Sequence, residues 1–184
     1  MTVSIRAAGA ADAGALADLA AATFALACPP HTSAHAIASF LRDVLAERNF
    51  DEYLADPNRV LLVAVAEAED VAENETTMVG YTMLVFGEPT DADADAAVGI
   101  RPTVELSKFY LRAESHGRGA AGTLMAATLD AARGRGAAGT WLGVNQLNAR
   151  AVRFYEKNGF TVVGAKRFLV GGAFENDFVL ERAL

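Results

Sequence analysis

The sequence has few cysteine, tryptophan and proline residues, and its basic residues are outnumbered by its acidic ones. Cys28 is the single cysteine, which excludes an internal disulfide framework and a cysteine-based zinc site. Lys and Arg number 16 against 23 Asp and Glu, and the net charge of −7 argues against a nucleic-acid-binding surface. The longest apolar run, residues 60–66, is far shorter than the roughly 20 residues that a membrane-spanning helix needs. We therefore expect a cytoplasmic protein that binds neither nucleic acid nor membranes.

Apolar residues, by contrast, are abundant and make up 52% of the chain. This fraction excludes intrinsic disorder, and a length of 184 residues is typical of one domain with one core. No internal repeat or change in composition indicates a second domain. We therefore expect a single domain over residues 1–184.

Hydrophobic spacing predicts seven strands and four helices in the order β-α-α-β-β-β-α-β-α-β-β. The second helix is predicted from Ser33 to about residue 50, because apolar residues repeat there at three and four positions. Residues 87–102 lack an apolar period and contain a proline near each end, which predicts a surface loop. This order of elements predicts an α/β fold with a mixed sheet and helices on both faces.

The strongest chemical signal is HGRGAAG, residues 116–122, between a predicted strand and a predicted helix. Its glycines leave room for backbone N–H groups to converge on an anion, and the following helix adds the positive end of its dipole. The segment therefore predicts a phosphate-binding loop. Gly117, Gly119 and Gly122 also match the dinucleotide fingerprint G-x-G-x-x-G, although no acidic residue follows on the next strand to bind a ribose. A dinucleotide-binding module is therefore an alternative.

A second motif follows in NARAVRFYEKNGF, residues 148–160, where Asn148 and Tyr155 lie seven residues apart on one helix face. With the glycine-rich loop, this motif resembles the GNAT superfamily of N-acetyltransferases, whose later helix reads N-x-x-A-x-x-F-Y. The resemblance is close over residues 103–168 and extends to the whole chain through the order of elements. It implies a mostly antiparallel, seven-stranded twisted sheet and acetyl-CoA as the co-substrate. No metal is expected, because no third ligand accompanies His31 and His35 and the acidic run at 91–95 lacks the glycine and glutamate of a calcium loop.

The resemblance also implies how the coenzyme is bound. Backbone groups of a strand would pair with the pantetheine arm like an added strand, the loop would bind pyrophosphate, and Asn148 would hold the pantetheine amides. His116 stands where the family usually has Gln or Arg, and Ala121 where it usually has Gly, but neither change removes a backbone donor. The implied coenzyme-binding residues are Phe109, Tyr110, Leu111, His116, Gly117, Arg118, Gly119, Ala120, Ala121, Gly122, Asn148 and Tyr155.

Two side chains are candidates for the proton transfers that acetylation of an amine requires. Glu105 would take a proton from the acceptor ammonium, through water, and strand alternation predicts that residues 105, 107, 109 and 111 share one face. Tyr155 would protonate the departing thiolate, because a phenol with a pKa of about 10 matches a thiol better than a carboxylic acid does. Structural interpretations remain for both, Glu105 as a sheet-edge carboxylate and Tyr155 as a core aromatic residue.

The last third of the chain resembles, more narrowly, the GNAT branch that acetylates spermidine, spermine and similar amines. The segments concerned are WLGVNQLNARAVRFYEKNGF at 141–160 and RFLVGGAFENDFVLERAL at 167–184. This resemblance and the acidic net charge favour a small, polyamine-like primary amine as the acceptor. The alternatives are a peptide N-terminal acetyltransferase and a non-catalytic acetyl-CoA-binding protein. The oligomeric state is left open, with a homodimer among the options.

Overall fold

The computed structural model describes residues 3–67, 76–115, 119–170 and 172–184, which form seven strands and six helices. The strands are β1 (Val3–Ala7), β2 (Arg59–Glu67), β3 (Thr76–Phe86), β4 (Thr103–Leu111), β5 (Gly139–Asn145), β6 (Thr161–Val170) and β7 (Ala173–Ala183). The helices are α1 (Ala13–Thr23), α2 (Ala34–Val44), α3 (Glu47–Ala55), α4 (Ala92–Ala97), α5 (Ala120–Gly134) and α6 (Ala149–Lys157).

The seven strands form one sheet in the order β1-β2-β3-β4-β5-β7-β6. Every neighbouring pair is antiparallel except β4 and β5, which run parallel. The predicted mixed, mostly antiparallel sheet is therefore confirmed. Within the described ranges, no helix is long and apolar enough to cross a membrane.

Strand β2 shows why the sheet needs helices on both faces. Its residues are apolar almost without interruption, because the strand is buried on both sides rather than on one. Leu61 and Val63 pack with α1 and α3, whereas Leu62 and Ala64 pack with α5. The predicted helices on both faces are confirmed, with α1 to α4 on one face and α5 and α6 on the other.

The single helix predicted from Ser33 to about residue 50 is wrong, because the chain forms two helices there. Between α2 and α3 the backbone becomes extended at Ala46, whose N–H donates to the Asn49 side chain at 3.2 Å and so begins the second helix. The Tyr53 hydroxyl donates to the Val44 carbonyl oxygen at 3.0 Å, which stabilises the end of the first helix. Apolar residues continue through the break, so hydrophobic spacing alone misses it.

The prediction that residues 87–102 form a loop is also wrong in its centre, where α4 lies. The Asp91 side chain accepts a hydrogen bond from the Ala94 N–H at 3.0 Å and caps the helix. Ala94 and Val98 then pack against Trp141 of β5. A helix of six residues is too short to show an apolar period, although its alanines favour the helical conformation.

Candidate active site

Strands β4 and β5 separate soon after they begin to pair. Their register extends only from Thr103–Glu105 on β4 to residues 139–141 on β5. Beyond this point, the edge of β4 that faces β5 has no strand partner in the described part of the chain. A cavity of about 720 Å³ lies at the separation, and β4, β5, α1, α6 and the β6–β7 hairpin all contribute to its walls. An extended ligand could hydrogen-bond to this free edge as an added strand would.

A bulge in β4 determines which side chains face each side of the sheet. Met83 of β3 pairs with Lys108 and the next residue pairs with Leu106, so Ser107 is an extra residue in the strand. Glu105, Lys108 and Tyr110 consequently face α1 to α3, while Phe109 and Leu111 pack against α5. The prediction that 105, 107, 109 and 111 share one face is therefore wrong, because it assumed a regular strand.

The described part of the predicted phosphate loop lies at the start of α5. Gly119 precedes the helix with a φ of +82°, a left-handed conformation that glycine adopts without strain. Ala120, Ala121 and Gly122 form the first turn, whose N–H groups have no carbonyl partner within the helix. The other predicted members, His116, Gly117 and Arg118, lie outside the described residues. The described N-terminus has the backbone donors that an anion site requires.

Asn148 lines the cavity at the start of α6. Its side-chain oxygen accepts from the Ala151 N–H at 3.1 Å and so caps the helix, while its amide nitrogen donates to the Ala27 carbonyl oxygen at 3.5 Å. The cap explains why Asn stands here, independently of any ligand. The predicted contact of Asn148 with a pantetheine arm stays a prediction.

Tyr155 also lines the cavity, and its ring packs edge-on among aromatic residues of β4 and α6. Its ring centroid lies 6.4 Å from that of Phe109 and 5.7 Å from that of Phe160. Burial raises the pKa of the Tyr155 hydroxyl above its ordinary value, so the group remains a proton donor at neutral pH. Packing and proton donation are therefore compatible at this residue.

Glu105 faces the cavity from the opposite side of the sheet. Burial raises the pKa of its carboxyl group above the ordinary value, and nearby cations, of which Lys166 acts most strongly, lower the pKa again. No salt bridge to Glu105 is formed among the described residues. Its carboxylate is thus available to a cationic group in the cavity, and its role as a base stays a prediction.

Asp177 of β7 is a cavity residue that sequence reasoning missed. It pairs in register with Asn145 and is 6% exposed, and its Oδ1 atom has no hydrogen-bond partner in the described part of the chain. Burial raises the pKa of Asp177 to about 6. The sequence gives little signal for it, because Glu175 and Asn176 directly precede Asp177 in β7, and the burial of this one acidic residue depends on how the strands pair.

The remaining charged groups of the cavity are mixed in sign. The Glu175 carboxylate accepts a hydrogen bond from His31 Nε2 at 2.8 Å and another from the Asn145 amide nitrogen at 3.4 Å. The acidic lining residues are Glu105, Glu175 and Asp177, and the basic ones are Arg59, Lys108, Arg150 and Lys166. Across the described ranges, no cluster of three or more His, Cys, Asp or Glu side chains could hold a metal ion.

Comparison with known sequences identifies a family. The model of the acetyltransferase (GNAT) family matches residues 22–160. Uncharacterized N-acetyltransferases of Mycobacterium bovis and Mycobacterium tuberculosis are 44% identical over 173 residues, which cover 94% of this chain and 98% of each relative. An uncharacterized N-acetyltransferase of Lactobacillus delbrueckii subsp. lactis is 25% identical over 162 residues, covering 88% of this chain and 86% of the relative.

Solved structures share the fold over the whole chain. The PaiA N-acetyltransferase of Thermoplasma acidophilum, in complex with coenzyme A, is 20% identical, covers 100% of both chains and superposes with a TM-score of 0.74. NAA60 of Arabidopsis thaliana, in complex with acetyl-CoA, is 15% identical, covers 100% of this chain and 99% of its own, and has a TM-score of 0.73. At these identities the likeness concerns the fold alone.

Proposed function

The chain belongs to the GNAT family of acetyltransferases, and we propose that it transfers the acetyl group of acetyl-CoA directly to the primary amine of a small molecule. One structural observation supports this proposal most strongly. One cavity joins the free edge of β4 and Tyr155 to the carboxylate of Glu105 on the far side of the sheet, and that carboxylate has no salt-bridge partner among the described residues. A thioester and an amine could therefore meet there.

The described residues fit acetyl-CoA. Of the two solved structures named above, the PaiA protein is in complex with coenzyme A and NAA60 is in complex with acetyl-CoA. The edge of β4 from Phe109 to Leu111 would pair with the amide groups of the pantetheine arm. The first turn of α5 would bind pyrophosphate through its backbone N–H groups. When bound, acetyl-CoA would supply the activated acetyl group as a thioester.

The proton transfers would fall to two side chains. Glu105 would take one proton from the acceptor ammonium, because only the neutral amine can attack the thioester carbonyl. As the new C–N bond forms and the C–S bond breaks, Tyr155 donates a proton to the thiolate, and the second nitrogen proton passes through water to restore the Tyr155 hydroxyl, while the proton held by Glu105 is released to solvent. The reaction thus yields an N-acetyl amide, a free thiol and one proton, without a covalent enzyme intermediate.

The second substrate of the proposed reaction is the acceptor amine. Polyamine-like acceptors are the class that the resemblance of the last third of the chain and the net charge favour. Glu105, Glu175 and Asp177 are the carboxylates that would hold their ammonium groups. A dinucleotide-binding role is not favoured, because its phosphate loop belongs to a parallel sheet and this sheet has one parallel pair.

A panel of acceptors tests the proposal. The purified protein is incubated with acetyl-CoA and with polyamines, amino acids or peptides that have a free N-terminus, and release of the coenzyme thiol is followed. We expect thiol release with at least one small amine, together with a mass increase of that amine by one acetyl group. Faster turnover of peptides would favour the peptide N-terminal alternative.

The control distinguishes a missing acceptor from missing catalysis. Acetyl-CoA binding is measured by calorimetry in the same preparation, without an acceptor. Tight binding combined with no thiol release across the whole panel would contradict the proposed reaction and favour a non-catalytic acetyl-CoA-binding protein.

A further inference from the structure

Two buried charges of opposite sign face the cavity without a salt-bridge partner among the described residues. Lys108 is 9% exposed and Asp177 is 6% exposed. A buried charge is costly unless a group of opposite sign lies beside it. Lys166 lies opposite Asp177 in the sheet and acts on its pKa, so the buried cation of the cavity with neither a salt bridge nor a register partner of opposite charge among the described residues is Lys108.

The position of Lys108 follows from the bulge in β4. Because Ser107 is the extra residue, Lys108 faces the same side of the sheet as Glu105. Its Nζ atom lies 5.0 Å from the centroid of the Tyr53 ring, and the guanidinium carbon of Arg59 lies 4.7 Å from the same ring. Two cations are thus gathered at this wall of the cavity.

These two cations are not equivalent. Arg59 donates to the carboxylate of Asp56 at 3.0 Å, so its charge is already balanced. Glu105 is the carboxylate whose charge raises the pKa of Lys108, but the two groups do not form a salt bridge. Burial lowers the pKa of Lys108 to about 8, which still leaves most of it protonated at pH 7.

An acceptor that enters the cavity as an ammonium ion adds a positive charge to it. Its positive charge would approach Glu105, whose charge already acts on Lys108, so the ammonium and Lys108 would repel each other at this wall of the cavity. An anionic group on the acceptor would remove this conflict by pairing with Lys108. A polyamine would instead add further positive charge beside Lys108.

We infer that the acceptor carries an anionic group, such as a carboxylate, in addition to its primary amine, and that Lys108 binds this group. The inference rests on the proposed acetyl transfer and departs from the polyamine class. Lys108 is then the residue that distinguishes a zwitterionic amine from a simple amine of the same length. Its role is acceptor specificity, and it takes no part in the proton transfers.

Matched acceptor pairs test the inference. Lysine and cadaverine differ by one carboxylate, as do ornithine and putrescine, and kcat/KM is measured for each from thiol release. We expect the carboxylate-bearing member of at least one pair to be preferred by about tenfold or more, the effect of one hydrogen bond between charged groups. In the Lys108→Met variant this preference should fall to about threefold or less, because Met keeps the length and the apolar stem but has no charge.

Two further variants control for folding and for charge in general. Lys108→Arg keeps the positive charge and should retain the preference. Lys166→Met removes a different cation of the same cavity and should also retain it. Melting temperature and the Kd for acetyl-CoA are measured for every variant, and a Lys108→Met protein that still binds acetyl-CoA is folded.

The outcomes separate this inference from the proposed function. Preference for the diamines in the wild-type protein would overturn the inference and leave acetyl transfer intact. A preference that survives in Lys108→Met, or that disappears equally in Lys166→Met, would also overturn it. No thiol release with any amine would contradict the proposed function itself, and the inference would fall with it.

Discussion

The two sides of the cavity are built in different ways. On the proposed coenzyme side, the described residues come from one stretch of chain, residues 103–155, and would act mainly through backbone groups. On the proposed acceptor side, charged side chains converge from four strands spread over residues 59–183, namely Arg59 on β2, Glu105 and Lys108 on β4, Lys166 on β6 and Asp177 on β7. The proposed coenzyme side is thus a local sequence motif, whereas the proposed acceptor side is a set of charged side chains that the pairing of strands brings together.

This difference explains what each side can recognise. Backbone N–H and C=O groups are the same in every residue, so a site built from them needs glycine, a helix N-terminus and a free strand edge rather than particular side chains. An acceptor is distinguished by the placement of charges, which depends on the register of β4 with β3 and of β5 with β7. The coenzyme side is therefore expected to tolerate change in side chains, and the acceptor side is not.

The largest effect is expected at Gly119, where the coenzyme side depends on a glycine. Gly119→Asp should remove detectable acetyl-CoA binding, because a carboxylate would stand beside the N–H groups proposed to bind pyrophosphate. The left-handed conformation alone should cost stability of about 1–2 kcal/mol. Calorimetry gives the affinity and thermal unfolding gives the stability.

Gly136 provides the matched control at the other end of the same helix. Its φ of +84° is close to the +82° of Gly119, and at neither position would an added Cβ atom meet another atom within 4 Å. Gly136→Asp should therefore lower the melting temperature comparably and leave acetyl-CoA affinity unchanged. Equal affinity in both variants would contradict a phosphate site at the start of α5.

The next effect is expected at Tyr155, a residue of the coenzyme side that is proposed to act through its side-chain hydroxyl. Tyr155→Phe keeps the ring and its aromatic contacts but removes the hydroxyl. We expect kcat to fall about 10²-fold with little change in acetyl-CoA affinity. Steady-state kinetics and coenzyme titration measure the two quantities.

Tyr81 is the control for loss of a hydroxyl in the core. It is fully buried in β3 and its hydroxyl has no hydrogen-bond partner among the described residues. Tyr81→Phe should leave kcat unchanged and slightly raise stability, because a buried polar group without a partner is removed. An unchanged kcat in Tyr155→Phe, verified in a single-turnover experiment, would return Tyr155 to a purely structural role.

The same contrast governs how much the sequence could predict. The order of the seven strands along the chain followed from hydrophobic spacing, and the residues proposed for the coenzyme side come from two motifs within one stretch of chain and the family that they resemble. Asp177, Lys108 and Lys166 could not be placed, because their positions depend on which strands are neighbours and on register. The bulge at Ser107 shows the limit most clearly, since one extra residue reverses the side on which all later side chains of β4 lie.

A pH profile sharpens the role of Glu105 on the acceptor side. Because its pKa is raised, the wild-type activity should fall with decreasing pH at a higher pH than an ordinary carboxyl group would give. Glu105→Gln should lose most activity at low pH and recover in part as rising pH deprotonates the amine in solution.

A second readout separates catalysis from simple attraction. If Glu105 only attracts the ammonium, the variant should show mainly a raised KM, and added salt should reduce the difference from wild type. An equal loss of kcat at every pH, with KM unchanged, would contradict both roles and leave Glu105 as a structural carboxylate.

The smallest effect is expected in stability, at Asp177. Its pKa of about 6 lies above the value of about 3.9 for an unfolded chain, so the folded protein binds an additional proton between these values. The neutral carboxyl group favours the folded state at low pH, and this contribution is lost as pH rises through 6. Lys166 opposes the shift and Glu175 adds to it. Asp177→Asn should therefore melt a few degrees higher than wild type at pH 8 and show no such gain at pH 4. A gain that is the same at both pH values would mean that the Asp177 charge does not destabilise the empty cavity, and the acceptor side would then need no cation to balance it.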